Sequence, residues 1–168
     1  DIAKDVQLAQ TPTDLLPPYV APAIEDVSAE DIKSAQDVLA ASTRPVLYVG
    51  GGVQLAKATD AVREFLRLNP MPAVSTLKGL GTIERHDPHY LGMLGMHGTK
   101  AANLVVQEAD LLIVVGARFD DRVTGKLDTF APNAKVIHID IDAAEIHKLR
   151  HANAPLRGDI NTILPQLE

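Results

Sequence analysis

Short apolar runs alternate along this chain with longer stretches in which apolar residues recur every third or fourth position. The runs are Val46 to Val49, MPAVST ending near Thr76, the glycine-interrupted HYLGMLGMHG, Leu111 to Val115, KVIHID ending at Asp140, and a short edge segment, APLRGD. Their length and β-branching predict buried strands. Over 29–41, Ile32, Ala35, Val38 and Leu39 fall at helical spacing, and Ser28 followed by Asp31 reads as an acidic variant of a capping box. Leu55, Ala58, Val62, Phe65 and Leu66 predict a helix over 54–68. Helices are also expected over 99–108, 143–150 and 160–168. Strand and helix thus alternate. That predicts an α/β fold of three layers, a parallel six-stranded sheet with helices on both faces, Rossmann-like in type.

The strand ends share a chemistry. Gly50, Gly51 and Gly52 end the first, Thr76 and Gly79 the second, Gly95 and Gly98 the third, Gly116 the fourth, Asp140 and Asp142 the fifth, Gly158 and Asp159 the sixth. In an open parallel sheet these ends lie along one rim, where ligands bind. Glycine lets backbone approach a ligand closely. The run LLIVVGARFDDRVTG stops abruptly in Arg118, Asp120, Asp121 and Arg122, as a buried strand does on reaching solvent or a polar ligand. Guanidinium forks match phosphate oxygens, and acidic strand ends accept ribose hydroxyls in dinucleotide folds. A nucleotide-sized cofactor across the rim follows, although no G-x-G-x-x-G is present.

Plainer explanations compete. The glycines serve as turns, and Arg118 to Arg122 as a surface ion-pair cluster. A metal at Asp140 and Asp142 is not adopted. His97 lies in a rim loop and is a candidate ligand contact, and His138 is structural. His86, His89, His147 and His151 are solvated. Met93 and Met96 are core filler on periodicity alone. Asp60, Asp110 and Asp128 cap or solvate element boundaries.

The chain has 168 residues, about the size of one domain. A formal charge of −6 argues against nucleic-acid and anionic-membrane partners. No apolar run approaches the ~18 residues of a membrane span. The absence of cysteine excludes disulfides and thiol chemistry and fits a cytoplasmic location. Pro12, Pro17, Pro18 and Pro22 fall outside any periodic pattern, so 1–27 reads as an extended linker before a domain at 28–168. The chain begins at Asp1 without a methionine, which suggests a piece of a longer protein.

Several strings together, YVGGGV, TLKGLG, LGMLGMHGTKAAN, DLLIVVGARFDDRVTG and HIDIDAAEI, closely resemble the middle domain of the acetolactate synthase (acetohydroxyacid synthase) catalytic subunit. The likeness covers essentially the whole chain, and LGMHG with GARFDDR is its specific part. It implies a Rossmann-like domain of the FAD/NAD-binding variant within a thiamine-diphosphate enzyme of branched-chain amino-acid biosynthesis. That enzyme condenses two pyruvates, or pyruvate and 2-ketobutyrate, with loss of CO2. Thiamine diphosphate and Mg2+ belong to other domains of the parent, so the isolated segment is expected to hold no catalytic residue and to be inactive. The parent is expected to be a homo-oligomer with a regulatory subunit.

By the same resemblance, FAD lies against Gly50, Gly51, Gly52, Thr76, Leu77, Lys78, Leu94, Gly95, Met96, His97, Gly116, Ala117, Arg118, Asp120, Arg122, Val123, Asp140, Ile141, Gly158 and Asp159. Arg122 and Met96 also match positions facing the second keto acid, one for its carboxylate and one for its alkyl group. Lys78 stands where some members have glutamine, and an ammonium cannot accept a hydrogen bond. GDI at 158–160 is not the thiamine motif. Alternatives are the middle domain of a glyoxylate carboligase or pyruvate oxidase, a free-standing nucleotide-binding module, and an NAD-using deacetylase-like enzyme, which lacks its zinc cysteines here.

Overall fold

The computed structural model describes residues 2–10, 17, 18, 20 and 26–167. Six parallel strands form one sheet: β1 (Pro45–Val49), β2 (Ala73–Ser75), β3 (Tyr90–Met93), β4 (Leu111–Val115), β5 (Lys135–Asp140) and β6 (Ala154–Arg157). Their order is β3-β2-β1-β4-β5-β6, so β3 and β6 are the edges and β1 and β4 the centre. The longer α-helices are α2 (Ala29–Ala40), α4 (Thr59–Leu68) and α5 (Lys100–Glu108). The short ones are α1 (Lys4–Leu8), α3 (Gly52–Leu55), α6 (Asp121–Thr124) and α7 (Ile160–Ile163).

Side chains alternate between the two faces of a strand, and both faces are covered. On one face Leu47, Val49, Ile113, Val115, Ile137 and Ile139 pack with Ile32, Phe65, Leu66 and Ile163 from the helices. On the other, Val46, Tyr48, Leu112, Val114 and Val136 pack with Val106, Phe119 and Phe130. Double coverage is why β1 and β4 are apolar without interruption. The three-layer fold expected from the sequence is the fold observed.

The Ser28 box forms as expected. Its hydroxyl accepts from the Asp31 N–H at 3.0 Å and donates to the Asp31 carboxylate at 2.7 Å. Asp110 does a boundary job too, fastening the turn that leads into β1. It accepts from Ser42 Oγ, from the Thr43 N–H (2.8 Å) and hydroxyl (2.7 Å), and from the Arg44 N–H (2.9 Å). Burial pushes its pKa up, but these hydrogen bonds win and hold the carboxyl well below the usual range.

Four elements differ from expectation, among them the closing helix expected over 160–168, which is α7 followed by a 3-10 turn at Leu164–Gln166. The helix over 54–68 is two helices, broken where Lys57 takes φ +53°. The expected helix at 143–150 is a series of turns, with His147 at φ +64°. Arg150 holds it instead, donating to the carbonyls of Phe130, Ala131 (2.6 Å) and Ala134 (2.8 Å). Finally, the segment expected to be extended contains α1, five proline-free residues, all exposed. Pro12 and Pro22 of the expected linker lie outside the described residues. Val27, one residue before the expected boundary, packs against the core.

Candidate functional site at the carboxyl rim

In a sheet of this order the connections run to opposite sides of β1 and β4, and the crevice between their carboxyl ends is the binding position of doubly wound folds. The Gly50–Gly52 and Gly116–Ala117 turns meet there. The Gly50 N–H donates to the Val115 carbonyl and the Gly52 N–H to the Gly116 carbonyl, both at 2.9 Å. A Cβ on Gly50 would lie 2.2 Å from Gly116 O, and one on Gly52 would lie 2.7 Å from Gly116 Cα. These glycines therefore let one turn pack on the other. That requirement exists with or without a ligand, so their presence alone does not indicate one.

What the rim offers outward is more specific. Large apolar side chains follow the carboxyl ends of four strands and stand in solvent: Leu55 after β1, Leu77 (66% exposed) and Leu80 after β2, Met96 (74%) after β3, Ile141 (54%) after β5. Met96 is thus no core filler. Lys78 and His97 are exposed beside them, while Leu94, Gly95 and Ala117 are buried beneath. Thr76 caps the turn after β2 by accepting from the Gly79 N–H at 3.1 Å.

The charge cluster after β4 has a local cause. Asp120 is the N-cap of α6 and accepts from the Arg122 N–H at 3.1 Å. Arg118 pairs with Asp120 at 3.4 Å, and Arg122 reaches Asp120 and Asp121 only at 4.0 Å. Pairs this exposed contribute about 0–1 kcal/mol, so the two guanidiniums remain available to an anion. Beneath the cluster, Tyr48 donates to the Arg118 carbonyl at 3.2 Å. Burial, then Asp120, pushes its phenol above the ordinary tyrosine range. His138 Nε2 donates to the Ala117 carbonyl at 3.0 Å, its ring edge-on to Phe119. Its Nδ1 is buried with no partner among the described residues, and burial pulls its pKa down. The histidine is structural, as expected.

The loops after β3 and β4 are tied together by the Met96 N–H, which donates to the Arg122 carbonyl at 2.9 Å. Between them opens a hollow of about 300 Å³ lined by Gly95, Met96, Asn103, Gln107, Asp121, Arg122, Val123, Thr124, Gly125 and Phe130. Asn103, Gln107, Thr124, Gly125 and Phe130 were missed from sequence. The only available signal was the pair of amides one turn apart on α5. A second hollow of about 440 Å³ lies on α2 beside Lys135, which opens β5 at the opposite edge of the sheet. It holds none of the candidate residues.

Toward the β6 edge the candidates have structural work. Asp140 accepts from the Asp142 N–H at 2.9 Å, closing the turn after β5. Asp159 caps α7 through the Asn161 N–H at 2.8 Å. A Cβ on Gly158 would meet Ile163 at 3.1 Å and Val27 at 3.3 Å, so this glycine serves packing.

The pattern of the family described as thiamine pyrophosphate enzyme, central domain, matches residues 32–167. Over its full length the chain is 57% identical to the acetolactate synthase isozyme 2 large subunit of Escherichia coli K12, and it covers 30% of that protein. It is 46% identical to an acetolactate synthase of Mycobacterium avium, with 99% of this chain and 27% of that protein aligned. The acetolactate synthase large subunit of Corynebacterium glutamicum is 47% identical over the same shares. The chain spans about three-tenths of the length of these curated relatives. The resemblance drawn from LGMHG and GARFDDR agrees with these matches. The chain belongs to the thiamine pyrophosphate enzyme central-domain family.

Proposed function

We propose that this chain is the FAD-binding central domain of an acetolactate synthase large subunit, with the domain at 28–168 and a connecting segment at 1–27. The observation that carries it is the pairing of Met96 with Arg122 across one hollow between the loops that follow β3 and β4. The residues fit a flavin dinucleotide by their chemistry. Exposed Leu77, Met96 and Ile141 offer apolar surface to a ring system. Arg118 offers a guanidinium to a pyrophosphate, and Asp140 a carboxylate to ribose hydroxyls. Lys78 adds a second cation where the Gly51 turn passes.

The condensation of two pyruvates to acetolactate and CO2 balances without an oxidant, so a bound flavin supplies no net redox chemistry. Carbanion stabilisation is the contribution of thiamine diphosphate, held with Mg2+ by other domains. This chain's part is to bind and orient. Arg122 presents parallel donors to the carboxylate of the second 2-keto acid, and Met96 packs on its alkyl group. The parent enzyme is cytoplasmic, homo-oligomeric and paired with a regulatory subunit. Among the described residues, no helix is long and apolar enough to cross a membrane.

The test is the full-length protein, purified with thiamine diphosphate, Mg2+ and FAD and supplied with pyruvate. Formation of 2-acetolactate supports the proposal. A different product, or none, refutes it and favours a carboligase or oxidase of the same family.

A further inference from the structure

Helix α5 carries Asn103 in its first turns, where alanine or leucine would favour the helix more. Capping does not require it, because Thr99 Oγ1 already accepts from the Ala102 N–H at 3.1 Å. The Asn103 side chain turns back on the loop after β3 instead. Its Oδ1 accepts from the Gly95 N–H at 3.1 Å, and its Nδ2 donates to the Gly95 carbonyl at 3.1 Å. The same Nδ2 donates to the Thr99 carbonyl at 3.1 Å. One amide thus grips both polar groups of one residue. Only a carboxamide matches this arrangement without rearrangement, since one end must accept and the other must donate to two carbonyls.

The gripped residue has little latitude. Gly95 sits at φ +103°, and a Cβ there would come 2.7 Å from the Arg122 carbonyl. The next N–H, of Met96, donates to that same carbonyl. The contacts therefore run from Asn103 to Gly95 to Met96 to Arg122, and Asn103 itself lines the hollow that Met96 and Arg122 share.

We propose that Asn103 is a positioning residue that sets Met96 against Arg122 and thereby governs which 2-keto acid is accepted as the second substrate. This rests on the substrate roles proposed above for Met96 and Arg122. Without the grip, the loop still reaches the hollow but no longer holds one placement. Binding of the second keto acid weakens and discrimination by its alkyl group blurs, while the chemistry carried by other domains is unchanged.

The experiment uses the full-length enzyme and Asn103→Asp, which keeps the shape but sets an anion against two carbonyls. Asn103→Ser is a second variant that withdraws the reach without adding charge. Supplied with pyruvate and 2-ketobutyrate together, each variant is expected to shift the ratio of the two products by about threefold or more. Its KM for the keto acid should rise about tenfold while kcat stays within about twofold. The Asn103→Asp defect should ease as pH falls, because protonation returns a donor. The ratio is read only from active molecules, so a partly unfolded preparation does not move it. Met96→Ala and Arg122→Ala run alongside. If these shift the ratio and neither Asn103 variant does, the positioning role is overturned. If Met96→Ala and Arg122→Ala leave both ratio and KM unchanged, the substrate assignment itself is overturned and the role of Asn103 falls with it.

Discussion

At Gly50 a single methyl group has no room, because the Gly116 carbonyl would lie 2.2 Å from it. Overpacking of this kind costs about 1–3 kcal/mol, and backbone is the neighbour that has to move. Gly50→Ala is therefore expected to lower the thermal midpoint by roughly 3–10 °C, measured by circular dichroism. An unchanged midpoint would show that the two turns do not pack as described. His138 makes a pH-dependent contribution. Burial lowers its folded pKa beneath the ordinary value near ~6.5, so the unfolded chain binds the proton more readily. Its stabilising contribution is present above that value and declines as pH falls toward the lowered folded pKa. His138→Gln, which retains a donor for the Ala117 carbonyl, should flatten the pH dependence of urea-unfolding free energy below about pH 6.5. The same acid slope in variant and parent chain would assign it to other groups.

Among the elements, the strands were the most legible in the sequence and the turns the least. β4 and β5 read directly because both faces are buried and every position between Leu111 and Val115 had to be apolar. The break between α3 and α4 did not, because apolar spacing continues through it while Lys57 turns left-handed. Lys57→Gly should raise stability by about 0.5–1 kcal/mol, the left-handed strain relieved less the entropy of glycine. A loss of stability in chemical denaturation would contradict that geometry. The turns at 143–150 carry helical-looking residues, yet Arg150 is drawn to three distant carbonyls. Tertiary hydrogen bonds of that kind leave no periodic trace. The turn before β1 rests on Asp110. Asp110→Ala leaves the Thr43 and Arg44 N–H groups without it and is expected to cost about 1–3 kcal/mol. Because the folded pKa of Asp110 is depressed, its contribution is present above the ordinary carboxyl pKa of ~3.9 and is lost as pH falls through the lower folded value. An unfolding titration into acid reads this as a reduced acid loss in the variant.

For the whole molecule, the parallel order β3-β2-β1-β4-β5-β6 brings the candidate segments to one edge of the sheet. The sequence located that edge because glycines and charges follow each apolar run. It did not separate candidate ligand-facing positions from structural ones: Gly50, Gly52 and Gly158 have packing jobs that depend on partners far along the chain, and Asp159 has a local capping job. Nor did it reveal Asn103, whose partner lies eight residues back across a turn. The rim is open, with exposed apolar side chains beside Arg118 and Arg122, and on the function proposed above other domains of the full enzyme complete the cofactor's surroundings. The isolated segment should therefore bind FAD weakly, above the micromolar range. The most direct measurement is the backbone amide NMR spectrum of this chain, isotopically labelled and titrated with FAD. The expected result is a set of perturbed amides at Gly50–Gly52, Leu94–His97 and Gly116–Arg118, with those of Glu30–Asp37 on α2 unmoved. Perturbations centred on α2, or none at millimolar FAD, would contradict the assignment of the rim as the cofactor's seat.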